Sequence, residues 1–382
     1  MSQAQQYFNQ EHQQVRDSVS RFVEREILPF VDAWEEAEEF PRELYLKAGA
    51  AGILGIGYPE KFGGSYEGDL FAKVAASEEL MRSGSGGLVA GLGSLDIGLP
   101  PVLKWAKPAV RDRVVPQVVA GEKIIALAVT EPSGGSDVAG LKTRAVRDGD
   151  FYRVTGSKTF ITSGVRADYY TVAVRTGGDG FAGVSLLLIE KGTPGFSVGR
   201  SLKKMGWWAS DTAELFFDDC KVPVENLIGV ENMGFAGIMA NFQSERLSLA
   251  IMANMTSQLA LEEALKWAKE RSAFGKPIGK FQVLKHRLAE MATQIEVSRE
   301  FTYRQAAQIA AGKSVIKEIS MAKNFATDVS DRITYDATQI LGGMGFMRES
   351  LVERLYRDNR ILSIGGGTRE VMNEIISKQM GL

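Results

Sequence analysis

Cysteine and histidine are scarce in this 382-residue chain: one Cys, Cys220, and two His, His12 and His286. A single thiol builds no internal disulfide framework, and so few scattered ligands build no His/Cys metal cluster. A reducing compartment and a chemistry without a bound metal are therefore expected. Charge of one sign is also missing, because 45 Lys+Arg against 47 Asp+Glu leave a formal net charge of −2. Such a balance gives no general pull toward nucleic acid or an anionic membrane, so an anionic ligand must be held by a local patch. No apolar run is expected to reach the roughly 20 residues of a membrane span, and the start, MSQAQQYFNQEHQQ, lacks the basic-then-apolar layout of a signal peptide. The cytoplasm is the expected location. Nor are the usual phosphate loops present: there is no GxxxxGK[ST], and GLGSLD beginning at Gly91 lacks the third glycine of a dinucleotide fingerprint. A nicotinamide cofactor on a Rossmann domain is not expected.

What is present is a large hydrophobic share, 45% of residues, enough for two or three domains with cores of their own. The hydrophobic period changes twice along the chain. Over residues 1–122 it is helical, with Val15, Val19, Phe22, Val23 and Ile27 recurring at three and four. Over 123–232 it drops toward two, as in YYTVAVRT and VSLLLIE, and DGD, GGDG and KGTPG read as turns between strands. Over 233–382 long helical patterns return and read as an up-and-down four-helix bundle. The expected fold is α+β and multidomain: helical domain, central β domain, helical bundle.

The most informative segment is AVTEPSGGSD, Ala128 to Asp137, where an apolar strand-like run opens into a loop of hydroxyls and glycines. Such a loop can turn backbone N–H groups and Ser/Thr donors toward a phosphate or a polar ring, although the same residues also make ordinary turns. A second informative position is Glu245 in SERLSLA. Ile238, Phe242, Leu249 and Met252 fall on its helical face, so a carboxylate sits inside an apolar stripe. It is a catalytic base or half of a buried ion pair. Arg246 cannot be that ionic partner, because successive helical residues diverge.

In fixed order, TEPSGGSD, KTFITSG, KMGWWASDTAELFFDDCKVP, SERLSLA, RSAFGKPIGKFQ, QILGGMGF and GGTREVM resemble the acyl-CoA dehydrogenase family over nearly the whole chain. That resemblance implies a helical domain, a β-barrel-like domain and a four-helix bundle, in a homotetramer built as a dimer of dimers. It implies FAD, an acyl-CoA substrate, and electron-transfer flavoprotein as acceptor. The base that many members carry just before the Gly-Thr of the last motif is missing here, because that position is Gly366. The long-chain, isovaleryl and citronellyl-type arrangement, with the base on the first long bundle helix, places it at Glu245. With a glycine at 366, the base reading is preferred over the ion pair.

By the same resemblance Leu127, Ala128, Val129, Thr130, Gly135, Ser136, Phe160, Ile161 and Thr162 would line the flavin. Arg271, Phe274, Gln282, Gln339, Ile340, Leu341, Gly342 and Gly343 would contact FAD from a neighbouring subunit. Thr368, expected as a helix N-cap, and Glu370 would lie near the flavin. Ser136, Gln243, Arg246 and Gly366 would face the acyl-CoA, with the Gly366 N–H donating to the thioester oxygen. Phe160 and Ile161 serve equally as strand core, and Trp207 and Trp208 as packing in a turn. A silent acyl-CoA-binding protein and a flavin oxidase on the same fold are the alternatives. The acyl chain stays open.

Overall fold

The computed structural model describes residues 6–382. Seven helices come first: α1 (Gln10–Phe22), α2 (Val31–Ala37), α3 (Glu43–Ala50), α4 (Leu70–Met81), α5 (Gly86–Leu92), α6 (Leu95–Trp105) and α7 (Pro108–Val119). The periodic residues of α1, Val15, Val19 and Phe22, are its buried face. Asn9 starts that helix through a reciprocal cap with His12, each backbone N–H donating to the other side chain at 3.0 Å. Asp69 caps α4 by accepting from the N–H groups of Phe71 and Ala72.

Contrary to the expectation from the sequence, one apolar stretch does reach the length of a membrane span. The stretch Gly86–Trp105 has the length and mean hydropathy, 1.3, of a membrane span. Gly93 and Ser94 break it into α5 and α6, α6 contains Pro100 and Pro101, and 67% of the apolar window is buried. It packs as core: α6 lies so close to the sheet that a Cβ on Gly98 would stand 3.2 Å from the backbone of Ala126.

The middle of the chain forms one eight-stranded sheet. Its strands are β1 (Ile125–Ala128), β2 (Arg144–Asp148), β3 (Phe151–Thr162), β4 (Tyr169–Arg175), β5 (Val184–Glu190), β6 (Phe196–Ser201), β7 (Thr212–Pro223) and β8 (Leu227–Ile228). They run in the order β6-β7-β3-β2-β4-β5-β8, with β1 parallel to β4. The register between β3 and β7 slips between Lys158 and Ile161, and this bulge decides where the Phe160 ring points.

The last part is helical: α8 (Gly234–Glu270), α9 (Gln282–Ala310), α10 (Ile316–Leu341), α11 (Leu351–Asn359) and α12 (Arg369–Gln379). Three helices are long, and what reads as a fourth is divided into α11 and α12 by a glycine loop. A short hairpin, β9 (Ser272–Ala273) and β10 (Lys276–Pro277), separates α8 from α9. The three parts meet at Asp358, whose carboxylate accepts from the N–H of Gly86 at 3.1 Å and of Trp207 at 2.6 Å. Beside it Arg357 pairs with Glu35 at 3.2 Å and lies 3.6 Å over the Trp208 ring. The two tryptophans are thus engaged in packing between domains. Burial, then the neighbouring Glu35 charge, pushes the Asp358 carboxyl up to about 7.

Candidate active site

Glu245 lies on α8, flanked on its own helical face by buried Ile238, Leu249 and Met252. Its Oε2 is sealed from solvent and has no hydrogen-bond partner among the described residues. No Lys or Arg stands within ion-pair distance of it there, so the buried ion pair is not what holds it. Burial pushes its carboxyl up to about 7, opposed first by the charge of Lys323 and then by that of Arg246. A carboxyl with that value exchanges its proton near neutrality, as a general base does.

The glycine loop between α11 and α12 faces it. Gly366 has φ +63, and a Cβ built there would lie 2.6 Å from Leu249 Cδ1 and 3.6 Å from Glu245 Cδ. A side chain at 366 would therefore collide with Leu249 and stand in contact with the Glu245 carboxyl. The loop is held by its carbonyls. Arg246 Nε donates to Gly366 O at 3.3 Å and Lys323 Nζ donates to Gly367 O at 2.5 Å. The Gly366 N–H itself has no partner among the described residues and is free to donate. Thr368 caps α12 by accepting from the Val371 N–H, as its position before the last helix implies. Glu370 is exposed, and its own backbone N–H and the Thr368 hydroxyl lower its pKa. Gln243 is half-buried on α8, and its side chain makes no hydrogen bond among the described residues.

A second group of predicted residues is assembled on the sheet. Lys158, fully buried on β3, donates to Val129 O at 3.0 Å and to Glu131 Oε1 at 2.9 Å. Glu131 also accepts from the N–H groups of Lys142 and Thr143 at 2.6 and 2.8 Å. The Thr159 N–H reaches Thr130 O at 2.9 Å. Loop 130–143 is thereby fastened to the strand that carries Phe160. Desolvation would raise the Glu131 pKa, but the charge and hydrogen bond of Lys158, with Thr143 and Lys142, pull it down to about 2.

Phe160 is not core: it is 69% exposed and holds φ +59. That backbone region is costly for an aromatic residue and tends to occur where a site has been shaped. Ile161, Ala128 and Val129 are buried and can offer a ligand only backbone. Leu127, Thr130 and Thr162 are half-buried, while Gly135 and Ser136 are exposed beside the loop.

A third group forms where α8 ends. Arg271, the C-cap of α8, lines a cavity of about 470 Å³ with Trp267, Ile278, Met344 and the run Ile340 to Gly343. Gln339 supplies the carbonyl that accepts from the Gly342 N–H at the end of α10. Phe274, on the hairpin with φ +51, is 96% exposed, and Gln282 opens α9. Glu245 and Arg271 are 26 residues apart along one continuous helix, which is about 39 Å at 1.5 Å per residue. The chain does not bring this group to Glu245.

Lys158 and Lys323, and the pairing of Lys158 with Glu131, went unnoticed in the sequence. Lys158 sits where the period-2 pattern of β3 points inward, and Lys323 lies in the apolar stripe of α10 between Ile319 and Ala326. A lysine inside such a stripe is a recognisable signal.

These groups suit a flat cofactor with a diphosphate: an exposed aromatic beside a hydroxyl-bearing loop, unpaired N–H donors before a helix N-terminus, and an arginine at a cavity. Comparison with known proteins agrees. Three family models match in order: "Acyl-CoA dehydrogenase, N-terminal domain" over residues 9–122, "Acyl-CoA dehydrogenase, middle domain" over 126–220, and "Acyl-CoA dehydrogenase, C-terminal domain" over 232–381. An acyl-CoA dehydrogenase of Bacillus subtilis is 38% identical over 98% of this chain and 99% of its own. The mitochondrial long-chain specific acyl-CoA dehydrogenase of Sus scrofa is 39% identical over 98% of this chain and 87% of its own. The crystal structure of a probable acyl-CoA dehydrogenase from Mycobacterium abscessus superposes with a TM-score of 0.96 at 50% identity, covering 98% of this chain and 100% of that one.

Proposed function

The chain belongs to the acyl-CoA dehydrogenase family, FAD oxidoreductases that act on acyl-CoA, and we propose that it converts an acyl-CoA thioester to its trans-2-enoyl-CoA with Glu245 as the base. The observation that carries this reading is the unpaired Glu245 Oε2 beside the space a side chain at 366 would fill. The carboxylate beside Gly366 comes from α8.

Glu245 takes the α proton of the thioester. Its apolar surroundings keep the carboxylate poorly solvated and therefore basic. The Gly366 N–H, aimed by carbonyls that Arg246 and Lys323 hold, donates to the thioester oxygen as negative charge develops on it. When bound, FAD would supply the acceptor for the β hydrogen and its bonding electrons. Phe160 and the 130–136 loop would hold the ring, with Ser136 shared with the CoA chain, and Thr368 and the start of α12 would hold ribityl or phosphate oxygens. Leu249 and Met252 keep water from the base.

The assembly is part of the proposal. About 39 Å separates Glu245 from Arg271, so both can serve one cofactor only if a second copy supplies the Arg271 group. A homotetramer does so, and electron-transfer flavoprotein is the proposed acceptor. The cytoplasm is the proposed compartment, in keeping with the buried free thiol of Cys220.

The test is anaerobic titration of the holoprotein with straight, branched and isoprenoid acyl-CoAs. Bleaching of the flavin band is expected with at least one of them, and its loss in Glu245→Gln. A yellow wild-type protein that no thioester bleaches would favour a silent binder. Undiminished bleaching in the variant would place the base elsewhere.

A further inference from the structure

Lys323 is fully buried on α10, and burying an ammonium is strongly disfavoured unless it is paired. Of its three donors one is used, on the Gly367 carbonyl at 2.5 Å, and no carboxylate stands within ion-pair distance among the described residues. A purely structural clamp for one carbonyl could be made by a neutral donor at less cost. What the neutral donor lacks is charge, and Lys323 is the foremost charge opposing burial at Glu245, which acts on it in return.

We propose that Lys323 is a positioning residue for proton abstraction, holding the glycine loop through Gly367 O so that the Gly366 N–H stays aimed, and supplying the positive field that lets Glu245 ionise. The inference rests on Glu245 being the base, as proposed above. The two tasks fall on one side chain because the loop and the carboxylate share one wall of the site. A Cβ at Gly366 would stand 3.6 Å from Glu245 Cδ, and the next carbonyl along that loop is the one Lys323 holds.

The charged groups acting on Glu245 are two: Lys323 from α10 and Arg246 from its own helix. Arg246 spends its Nε on Gly366 O and is the second charge acting on Glu245. Arg369 of α12 is engaged with Asp328 of α10 in a separate ion pair. Burial lowers the Lys323 pKa to about 8, with Glu245 raising it in return. Ionisation of Glu245 thus favours the charged ammonium, and the ammonium favours the carboxylate.

Three variants separate the tasks. Lys323→Gln keeps a donor for Gly367 O and loses the charge, Lys323→Met loses both, and Lys323→Arg keeps the charge. Two readouts are taken on the holoprotein from about pH 5.5 to about pH 9. One is the rate of flavin bleaching by palmitoyl-CoA and isovaleryl-CoA in stopped flow. The other is the infrared carboxyl band of Glu245, assigned by its absence in Glu245→Gln, which titrates whether or not the enzyme turns over. In Gln and Met the acid-side midpoint should rise by about one pH unit. Bleaching near pH 7 should then fall about fivefold through lost ionisation. Thioester affinity should weaken in Met alone, and Arg should keep the wild-type midpoint.

An unmoved midpoint in Lys323→Gln overturns the inference. Should the neutral variants not fold, a midpoint that rises by a full unit in Lys323→Arg overturns it equally. Failure of the underlying reading looks different: Glu245→Gln would then bleach like wild type, whatever the Lys323 variants do.

Discussion

Replacing Glu245 by Gln should remove the chemistry and stabilise the fold, by an amount that depends on pH in one direction. Burial pushes this carboxyl from 4.5 up to about 7, against the charges of Lys323 and Arg246. Between those values the folded protein keeps a proton that the unfolded chain has released, so stability falls as pH rises through that window. The shift, about 7 minus 4.5, is about 2.5 units, and at about 1.4 kcal/mol per unit the loss is about 3 kcal/mol once pH exceeds 7. Gln has nearly the same volume and cannot ionise. Its advantage over wild type should be near zero at about pH 4.5, grow across the window and level off above it. The attraction of Lys323 is already contained in that value, so the plateau should lie near about 3 kcal/mol. Denaturant unfolding of wild type and variant at several pH values measures the curve, while flavin bleaching by acyl-CoA should drop by about 10² to 10⁴. A stability difference that stays flat with pH, or shrinks as pH rises, would refute the argument that burial sets this pKa.

Gly366→Ala should destabilise by about 2 kcal/mol, since the new methyl meets Leu249 Cδ1 at 2.6 Å and an L residue must hold φ +63; adding Leu249→Ala should return part of the loss, measured by unfolding of single and double variants. Lys158→Met strands Glu131 as a buried unpaired carboxylate and should cost about 3 to 5 kcal/mol, with flavin lost on gel filtration as the 130–143 loop loosens. Phe160→Gly should leave stability unchanged or raise it by up to about 1 kcal/mol, because the ring is exposed and its φ is positive, yet weaken flavin retention measured by reconstitution. Asp358→Ala leaves the N–H groups of Gly86 and Trp207 unpaired and should lower the melting temperature by several degrees, at about 1 to 3 kcal/mol per orphaned group.

The sequence by itself determined the order of the three domains, because hydrophobic period is a local property: 3.6 in α1 and near 2 at the start of β3, while β4 and β5, buried on both faces, read as short apolar runs. It also placed Glu245 on an apolar face and Thr368 at a helix start, since facing and capping depend on residues within one or two turns. It misjudged Gly86–Trp105, where composition gives apolarity and only packing decides whether the stretch spans a bilayer or fills a core. The rest was decided by tertiary structure, for the same reason throughout. Whether the Glu245 carboxylate has a partner depends on α10 and the 365–367 loop, roughly 80 to 120 residues away in the chain. Whether Phe160 is core or platform depends on one register slip against β7. That Lys158 and Lys323 can be buried at all depends on carbonyls from other elements, and for Lys158 on the Glu131 carboxylate, that accept their hydrogen bonds. Local pattern tells which face a side chain is on; contacts between distant segments set what that side chain meets, and with it the pKa.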